Sequence, residues 1–325
     1  MDLSGLAGTL ASIIFVSVPL IYATMGETLT ERAGIVNLSL DGTILLTAMA
    51  GFAGAYLSGQ LIVGFLVAAL VGAAVAAVVA FAGITLKRDQ IAVGFVLTML
   101  CTDLSSFLGN PYVRVPGPFM PHWTIPVLSD IPLIGKAFFD HDLLTYLSYV
   151  LVFAVWFWMY KTRHGLMLQG IGEQPRAAYA RGATVNRLRW FYTLLGGALV
   201  GIAGATYSLD IKIGWAHRMT AGVGWIALSI VIFGGWNPLR VALGAYLFGA
   251  LTYLGIVLQG VFPTLPTEVF TVAPFPVMIL ALLLTNSEGV DRLLAYLPAG
   301  IRYRLRAAIR STGPAALGTT FDEKL

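Results

Sequence analysis

Long apolar runs without a charged residue dominate this sequence, and they constrain its fold more than any other feature. The longest extends from Leu61 to Leu86 and contains no Asp, Glu, Lys or Arg. A helix needs about 20 apolar residues to cross the hydrocarbon core of a bilayer. The composition agrees, because only 11% of the residues are charged, against about 25% in soluble domains. The chain is therefore predicted to be an integral membrane protein.

The distribution of the runs predicts an all-α, polytopic fold. Lipid cannot pair the open edge of a β-sheet, and the alternating segments of a membrane β-barrel are absent from the sequence. We expect about nine to ten transmembrane helices in one membrane domain over residues 1–285. The first run lacks a basic flank and a small-residue cleavage site, so we expect it to be retained. Nine spans are predicted, at residues 4–25, 38–58, 61–86, 91–110, 143–161, 189–209, 221–235, 238–258 and 269–285.

Positive charge is distributed unevenly between the predicted loops. If residues 162–189 face the cytoplasm, all but four of the 20 Lys and Arg residues lie on that side. Cytoplasmic loops are enriched in Lys and Arg, so the N-terminus is predicted outside and the C-terminus inside. The net charge of +4 is therefore a topology signal, and no basic stripe on a soluble module predicts nucleic-acid binding. The four remaining cations are Arg114, Lys136, Lys212 and Arg218.

Little in the sequence predicts catalysis or metal binding. Its one cysteine, Cys101, lies in the fourth span and is expected to pack as a small apolar residue. The histidines lie on separate segments without a pair at metal-ligand spacing. Phosphate-binding, dinucleotide-binding, nucleophile-elbow and zinc-protease motifs are absent. We therefore expect no ATPase site in this chain, no metal and no cofactor.

A polar stretch, residues 162–189, interrupts the apolar pattern between the fifth and sixth spans. Within it the sequence PRAAYA, starting at Pro175, predicts a short helix that Gly182 would end. Flanked by two spans, this helix would lie along the cytoplasmic face and could dock a partner. The alternative is an ordinary inner loop whose cations follow the positive-inside rule. The residues alone leave both interpretations open.

Three blocks of the sequence resemble one family of membrane proteins. GLMLQGIGEQPRAAYARG, residues 165–182, is similar to the coupling loop of ABC importer permeases in the ribose, nucleoside and branched-chain amino acid superfamily. ERAGIVNLSLDG, residues 31–42, resembles the signature after the first span of nucleoside and simple-sugar permeases. GVGWIALSIVIFGGWNPLRVALGAYLFG, residues 222–249, resembles a later block of the family. Ser39 stands where the family has glycine, and Asp41 where it has glutamate. The blocks follow the family's order and spacing, and the nucleoside and simple-sugar branch fits best.

The resemblance implies a permease subunit of an ABC importer that carries a small polar solute, a nucleoside or simple sugar, across the cytoplasmic membrane of a prokaryote. It implies cytoplasmic ATP-binding subunits, a second permease subunit and an extracytoplasmic solute-binding protein as partners. A heterodimer of permeases is expected before a homodimer. In the family a short cytoplasmic helix sits in a groove of the ATPase subunit and transmits its closure. The residues to which the resemblance assigns this coupling are Glu173, Gln174, Pro175, Arg176, Ala177, Ala178 and Gly182.

Five residues are candidates for the translocation pathway. Asn37 and Asp41 lie where polar residues break an apolar segment, and irregular backbone at membrane depth is tolerated only beside protein or water. Trp225 and Asn237 lie in a second break, and paired interruptions in two halves are typical of transport sites. Asp103 lies inside the fourth span, where an acid is a functional candidate. The alternatives are helix packing for the glycines of the breaks, a packing or interfacial role for Trp225 and an outer-interface position for Asp103.

Two further segments have predicted surface roles. Residues 111–132 hold six of the chain's 15 prolines with aromatic residues between them. We expect a stiff outer segment that meets the solute-binding protein, the alternative being an ordinary loop packed on helix ends. Residues 286–325 are expected to form a cytoplasmic tail, with a basic amphipathic helix at 299–311 on the inner leaflet and a loose segment at 312–325.

Two other functions remain open on the sequence. An ion-coupled secondary transporter or a channel would normally place carboxylates or a charged ring near the midplane, where this chain has little besides Asp103. A membrane enzyme would need convergent catalytic residues, which the sequence does not suggest.

Overall fold

The fold is built almost entirely from helices in the part of the chain that the structure, a computed structural model, describes: residues 3–129, 131–132, 134–262, 269, 272, 276, 296 and 313–322. Two three-residue strands, β1 (His122–Thr124) and β2 (Asp140–Asp142), pair antiparallel. The helices are α1 (Leu3–Arg32), α2 (Leu40–Ser58), α3 (Leu61–Ala80), α4 (Gln90–Gly109), α5 (Ile134–Phe138), α6 (Leu143–Lys161), α7 (Arg163–Glu173), α8 (Pro175–Ala180), α9 (Val185–Thr206), α10 (Val223–Phe233) and α11 (Pro238–Val261).

Seven of these helices are long and apolar enough to cross a membrane: α1, α2, α3, α4, α6, α9 and α11. They correspond to seven of the nine predicted spans. A single turn of π-helix extends α3 over Phe81–Thr85, and another extends α9 over Tyr207–Ile211. The predicted span at 269–285 lies outside the described residues.

The predicted span at 221–235 is wrong as a full crossing. Its helix, α10, has 11 residues and is roughly 16 Å long at 1.5 Å per residue, about half of a 30 Å bilayer core. Gly222 precedes it with a φ of +90°, and Gly234 ends it. The glycines that interrupt the apolar run therefore reduce a full span to a half-helix.

Side-chain caps fix where several helices begin. The Asp89 carboxylate accepts from the N–H groups of the first turn of α4, and Asp142 accepts from Thr145 N–H at 2.9 Å at the start of α6. Thr162, the one residue between α6 and α7, accepts from Gly165 N–H at 3.0 Å. Such caps satisfy backbone donors that have no partner inside the helix.

The bundle is organised around α9, which packs against α1, α2 and α3. Small residues permit this contact, because Gly72 of α3 lies directly against the backbone of Gly197 and Gly201 of α9. Close approach through small residues is a common means of helix association in lipid.

The bundle has two different ends. At one end α7 and α8 follow α6, and the turn between α1 and α2 lies beside them. At the other end, residues 110–142 connect α4 to α6 and carry the two strands and α5. We call these the α8 end and the strand end.

The expectation that residues 312–325 are loose is wrong for the described segment 313–322. Ala316 and Phe321 are only 7% and 6% exposed. The backbone N–H groups of Ala316 and Gly318 donate to the carbonyls of Gly172 and Gly34. Small residues at both partners allow this close backbone pairing, which the composition of the segment did not indicate. The predicted amphipathic helix at 299–311 lies outside the described residues.

Candidate functional site: a half-helix inside the bundle and an exposed helix at one end

The two predicted breaks in the apolar pattern meet inside the bundle. After α9, residues 212–222 have no helix or strand and run inward from the strand end, where Trp215 packs against Gly109. They lead into α10, whose Gly224 N–H donates to Oδ1 of Asp41 at 3.0 Å. A carboxylate is therefore placed at the N-terminus of a half-helix.

This junction lies well inside the membrane-spanning bundle. Gly42 of α2 faces the backbone of Thr98, which is roughly 12 Å along α4 from its first residue at 1.5 Å per residue. Asp41 is 8% exposed. The free N–H groups and the dipole at a helix N-terminus stabilise a carboxylate there. The arrangement resembles the discontinuous helices with which transporters build sites near the midplane.

The first break is held by side chains from α4. Gln90 Oε1 accepts from Val36 N–H at 2.8 Å, and Thr98 Oγ1 donates to the Leu38 carbonyl at 2.7 Å. Asn37 closes a local turn, because its Oδ1 accepts from both the N–H and the hydroxyl of Ser39. Polar groups of the irregular backbone are thus satisfied within protein, as lipid requires.

Trp225 completes this group of pathway candidates. It is the third residue of α10, is half-buried, and its ring centroid lies 5.5 Å from that of Phe95 on α4. The structure thus brings Asn37, Asp41 and Trp225 together around the first half of α4.

The other two pathway candidates lie elsewhere. Asn237 caps α11 at the α8 end, where its Oδ1 accepts from Leu239 N–H and its Nδ2 donates to the Tyr160 hydroxyl. Asp103 is exposed on α4, roughly 20 Å from the first residue of that helix. It lies on the same stripe as the exposed residues Met99 and Phe107.

The predicted short helix is present as α8. Pro175 is its first residue, and Gly182, with a φ of +90°, lies just beyond its end. Two further bonds, from Gly182 N–H to the Tyr179 carbonyl and from Ala183 N–H to the Ala178 carbonyl, form a Schellman motif. The glycine stop inferred from the sequence is confirmed.

The outer face of α8 is available to a partner. Gln174, Arg176, Ala177 and Tyr179 are exposed. Beside it α7 and α8 enclose a mostly apolar cavity of about 470 Å³. Its lining includes Leu166, Met167, Gly170, Ala177, Ala178 and Arg181. A short helix next to an open apolar groove is suited to receiving side chains of another protein.

Glu173 differs from the other predicted coupling residues because its carboxylate has partners within the chain. Oε1 lies 3.4 Å from Nη1 of Arg32, and Oε2 accepts from Ala315 N–H at 3.2 Å. It therefore ties the base of α8 to the end of α1.

The buried ionisable residues that were not among the sequence candidates include Glu27, Arg189 and Asp210. Glu27 is fully buried, and its carboxylate oxygens have no hydrogen-bond partner among the described residues. Arg189 is 1% exposed, and Asp210 lies in the π-helical turn after α9. The sequence could have indicated Asp210, because it is an acid at the end of an apolar run. The sequence indicates no role for Arg189 beyond that of a cytoplasmic-side cation.

The strand end carries a separate polar cluster. His122 Nε2 lies 2.7 Å from Oδ1 of Asp140, to which the Thr124 hydroxyl also donates at 2.9 Å. These two hydrogen bonds, that of His122 first, hold the pKa of Asp140 below its ordinary value. Among the described residues, no group of three His, Cys, Asp or Glu side chains could hold a metal ion.

Comparison with known proteins decides the family. The model of the family described as "Branched-chain amino acid transport system / permease component" matches residues 9–282. The chain belongs to this permease family. The permease is 38% identical to a candidate glucose ABC transporter permease protein of Haloferax volcanii, over 76% of this chain and 77% of the relative.

Two further relatives of the permease come from bacteria. The nucleoside ABC transporter permease protein of Lactococcus lactis is 35% identical over 86% of this chain and 95% of its own. The guanosine ABC transporter permease protein of Bacillus subtilis is 32% identical over 81% and 87%. No solved structure matches the permease.

Proposed function

We propose that this chain is the membrane permease subunit of an ABC importer for a nucleoside or a simple sugar. The observation that carries the proposal is α8, an exposed helix with an open groove at one end of a membrane bundle, in a chain whose relatives are ABC transporter permeases for nucleosides and glucose. The energy comes from partner subunits, because the chain carries no nucleotide-binding motif. Two cytoplasmic ATP-binding subunits therefore complete the transporter.

In this mechanism the ATP-binding subunits bind α8. ATP binding closes them, and α8 with α7 follows the closure. The motion reaches the breaks inside the bundle through Glu173 and Arg32, and α10 and α2 shift together because Asp41 joins them. The cavity then changes from open to the outside to open to the cytoplasm. The solute itself undergoes no chemistry.

A second permease subunit covers α4. The stripe of Phe95, Met99, Asp103 and Phe107 points away from the bundle, with Met99 70% and Phe107 78% exposed. A carboxylate facing lipid at this depth is costly, so protein or a water-filled path covers the stripe. The pathway then lies between two permeases, a heterodimer before a homodimer. Phe95 of this stripe contacts Trp225. Asp41 lies behind them, bonded to the neighbouring Gly224.

A solute-binding protein docks at the strand end. There Phe119, Trp123 and Val127 are exposed within the proline-rich segment 111–132, and stiff segments lose little entropy on association. This assignment places the strand end outside and the α8 end in the cytoplasm of a prokaryote, in agreement with the distribution of cations. Residues 1–285 form the transmembrane domain, and residues 286–325 form the cytoplasmic tail.

Reconstitution of the complete transporter tests the proposal. Proteoliposomes containing the permease, its partner permease, the ATP-binding subunits and the binding protein should accumulate radiolabelled guanosine or radiolabelled glucose. Accumulation should require ATP on the side of the membrane that carries the ATP-binding subunits. Uptake driven by an ion gradient through this chain alone would support the secondary transporter instead. ATP-dependent uptake that persists without the ATP-binding subunits would contradict the proposal.

The docking role of α8 has its own test. Ala177→Arg places a charge in the α7–α8 groove and should lower recovery of the ATP-binding subunits with the permease at least about tenfold, because burying an unpaired charge at an interface is costly. Gln60→Arg, an exposed site at the strand end, is the matched control. Equal recovery with the two variants would contradict the assignment of α8.

A further inference from the structure

Residues 313–322, which we call the strap, are held against several elements of the α8 end. Its backbone bonds to α7 through Ala316 N–H and the Gly172 carbonyl, 2.9 Å apart. It bonds to the turn after α1 through Gly318 N–H and the Gly34 carbonyl, 3.0 Å apart. The strap therefore contacts both the base of α8 and the first break.

The strap is also anchored to α9 and to the α3–α4 loop. Arg189 of α9 donates from Nη1 to the Thr319 carbonyl at 2.8 Å. This guanidinium is 1% exposed, and its Nε and Nη2 have no hydrogen-bond partner in the described part of the chain. Lys87 pairs with Asp322. Removing the strap would leave a buried cation without this acceptor, which is unfavourable.

Side chains of the strap add apolar contacts. Phe321 is buried, and its ring centroid lies 5.7 Å from that of Tyr179 on α8. Gly313 lies against the indole of Trp236, just before α11. The strap also has internal order, because the N–H and hydroxyl of Thr319 both donate to the Ala316 carbonyl. It behaves as a folded part of the α8 end.

Few direct contacts connect α8 to the first break. They consist of the Glu173–Arg32 pair, 3.4 Å apart, and the approach of Gly172 to the Arg32 carbonyl. The strap adds a second path, from Tyr179 and Gly172 through residues 316–318 to Gly34. Gly34 begins the break that holds Asn37 and precedes Asp41. A displacement of α8 would therefore move this break through both connections.

We propose that the strap transmits movement of α8 to the first break and thereby couples ATP hydrolysis to solute transport. This inference rests on the proposed function. Ala316, Gly318 and Phe321 are positioning residues, because they act through Gly34 and the break and do not contact solute. A cavity of about 460 Å³ between Thr319–Phe321 and Gln174–Ala177 places the strap beside the surface assigned to the ATP-binding subunits.

The test measures solute taken up per ATP hydrolysed in the reconstituted transporter, with the guanosine and glucose probes. Deleting residues 313–325, or replacing Ala316→Pro to remove its N–H, should lower this ratio about tenfold, within the range of coupling between distant sites. Recovery of the ATP-binding subunits should stay within about twofold, as for surface changes. Thr320→Ala, with an exposed side chain in the same segment, is the matched control. If the truncated chain fails to assemble, the Ala316→Pro variant alone tests the proposal.

The outcomes separate the strap from the proposed function. If the wild-type transporter shows no ATP-dependent uptake, the proposed function fails. If the wild-type transports but both strap variants keep its ratio of uptake to hydrolysis, the transmission role is overturned. Loss of ATP-subunit binding in the variants also overturns it, since the strap would then be a docking surface. Glu173→Ala should uncouple as well, and Glu173→Gln, which keeps an acceptor for Ala315 N–H, should restore part of the coupling.

A cross-link distinguishes a transmitting strap from one that must detach. In a Cys101→Ser chain, Lys87→Cys and Asp322→Cys are joined by a short bismaleimide at the site of the native ion pair. Transport should survive the cross-link, because the strap stays bound throughout the cycle. Loss of transport on cross-linking, with full activity before it, would overturn the proposal.

Discussion

At the scale of single residues, the most informative contact is that between Asp41 and the start of α10. One carboxylate oxygen accepts from Gly224 N–H, and a methyl group at Gly224 would collide with the backbone of Asp41. Two helices from different halves of the chain therefore meet through a cap and a close backbone approach. The contact stabilises the half-helix and fixes its position.

Replacing Asp41 tests the cap. Asp41→Ala removes the acceptor and should reduce the free energy of unfolding by about 1 kcal/mol, the usual cost of losing a helix cap. Asp41→Asn keeps an acceptor and should lose less. Denaturant titration in detergent measures both, and equal losses in the two variants would show that the hydrogen bond contributes little.

The Asp140 cluster predicts a pH dependence at the strand end. Because the folded-state pKa of Asp140 lies below its ordinary value, its contribution to stability is present above that value, about 3.9, and is lost as the pH falls through the folded pKa. Wild-type β1–β2 should therefore weaken at acidic pH more than Asp140→Asn does. Fluorescence of Trp123 during an acid titration measures the difference, and superimposable titrations would contradict the prediction. Thr124→Ala, which removes one donor, should fall between them.

At the scale of helices, apolar length and caps were enough to predict seven spans and the short helix α8. The half-helix α10 was not predicted as such, because an apolar run contains the same residues whether its helix is continuous or begins halfway through the membrane. What decides the matter is a tertiary contact, Gly224 with Asp41. The segment 313–322 was missed for a similar reason: its partners, Gly34, Gly172 and Arg189, are distant in sequence.

The candidate site was predicted unevenly. Asn37, Asp41 and Trp225 do lie together, since both breaks carry the polar and glycine residues that irregular membrane backbone needs. Asp103 and Asn237 lie apart from them, and spacing along the chain could not reveal this separation. Glu27 could not be selected from the sequence either. Whether its buried carboxylate finds a hydrogen-bond partner depends on which helices surround α1.

The α3–α9 contact gives a test of helix packing. A side chain at Gly201 would meet the backbone of Ala68 on α3, so Gly201→Leu should destabilise the fold by about 1–3 kcal/mol or more. Gly8→Leu is the matched control, because nothing lies within 4 Å of that position on α1. The melting temperature in detergent measures both, and similar values would mean that the helices can separate without cost.

At the scale of the whole molecule, the distribution of cations predicts which end faces the cytoplasm. In a Cys101→Ser chain, Gln60→Cys should react with a membrane-impermeant maleimide on intact cells. Ala177→Cys should react only after the cells are permeabilised. Both positions are exposed, and the reverse pattern would exclude ATP-binding subunits at α8.

The junction at Thr162 has a geometric consequence for the importer. A single residue joins α6 to α7. The membrane span α6 can therefore move little independently of α7 and α8, which a partner would hold. α6 has 19 residues and is roughly 28 Å long. A tilt of about 5° at this corner would swing the remote tip of α6 by roughly 2 Å. The helix therefore acts as a lever arm, and its length sets how far a small rotation is amplified on the opposite side of the bilayer.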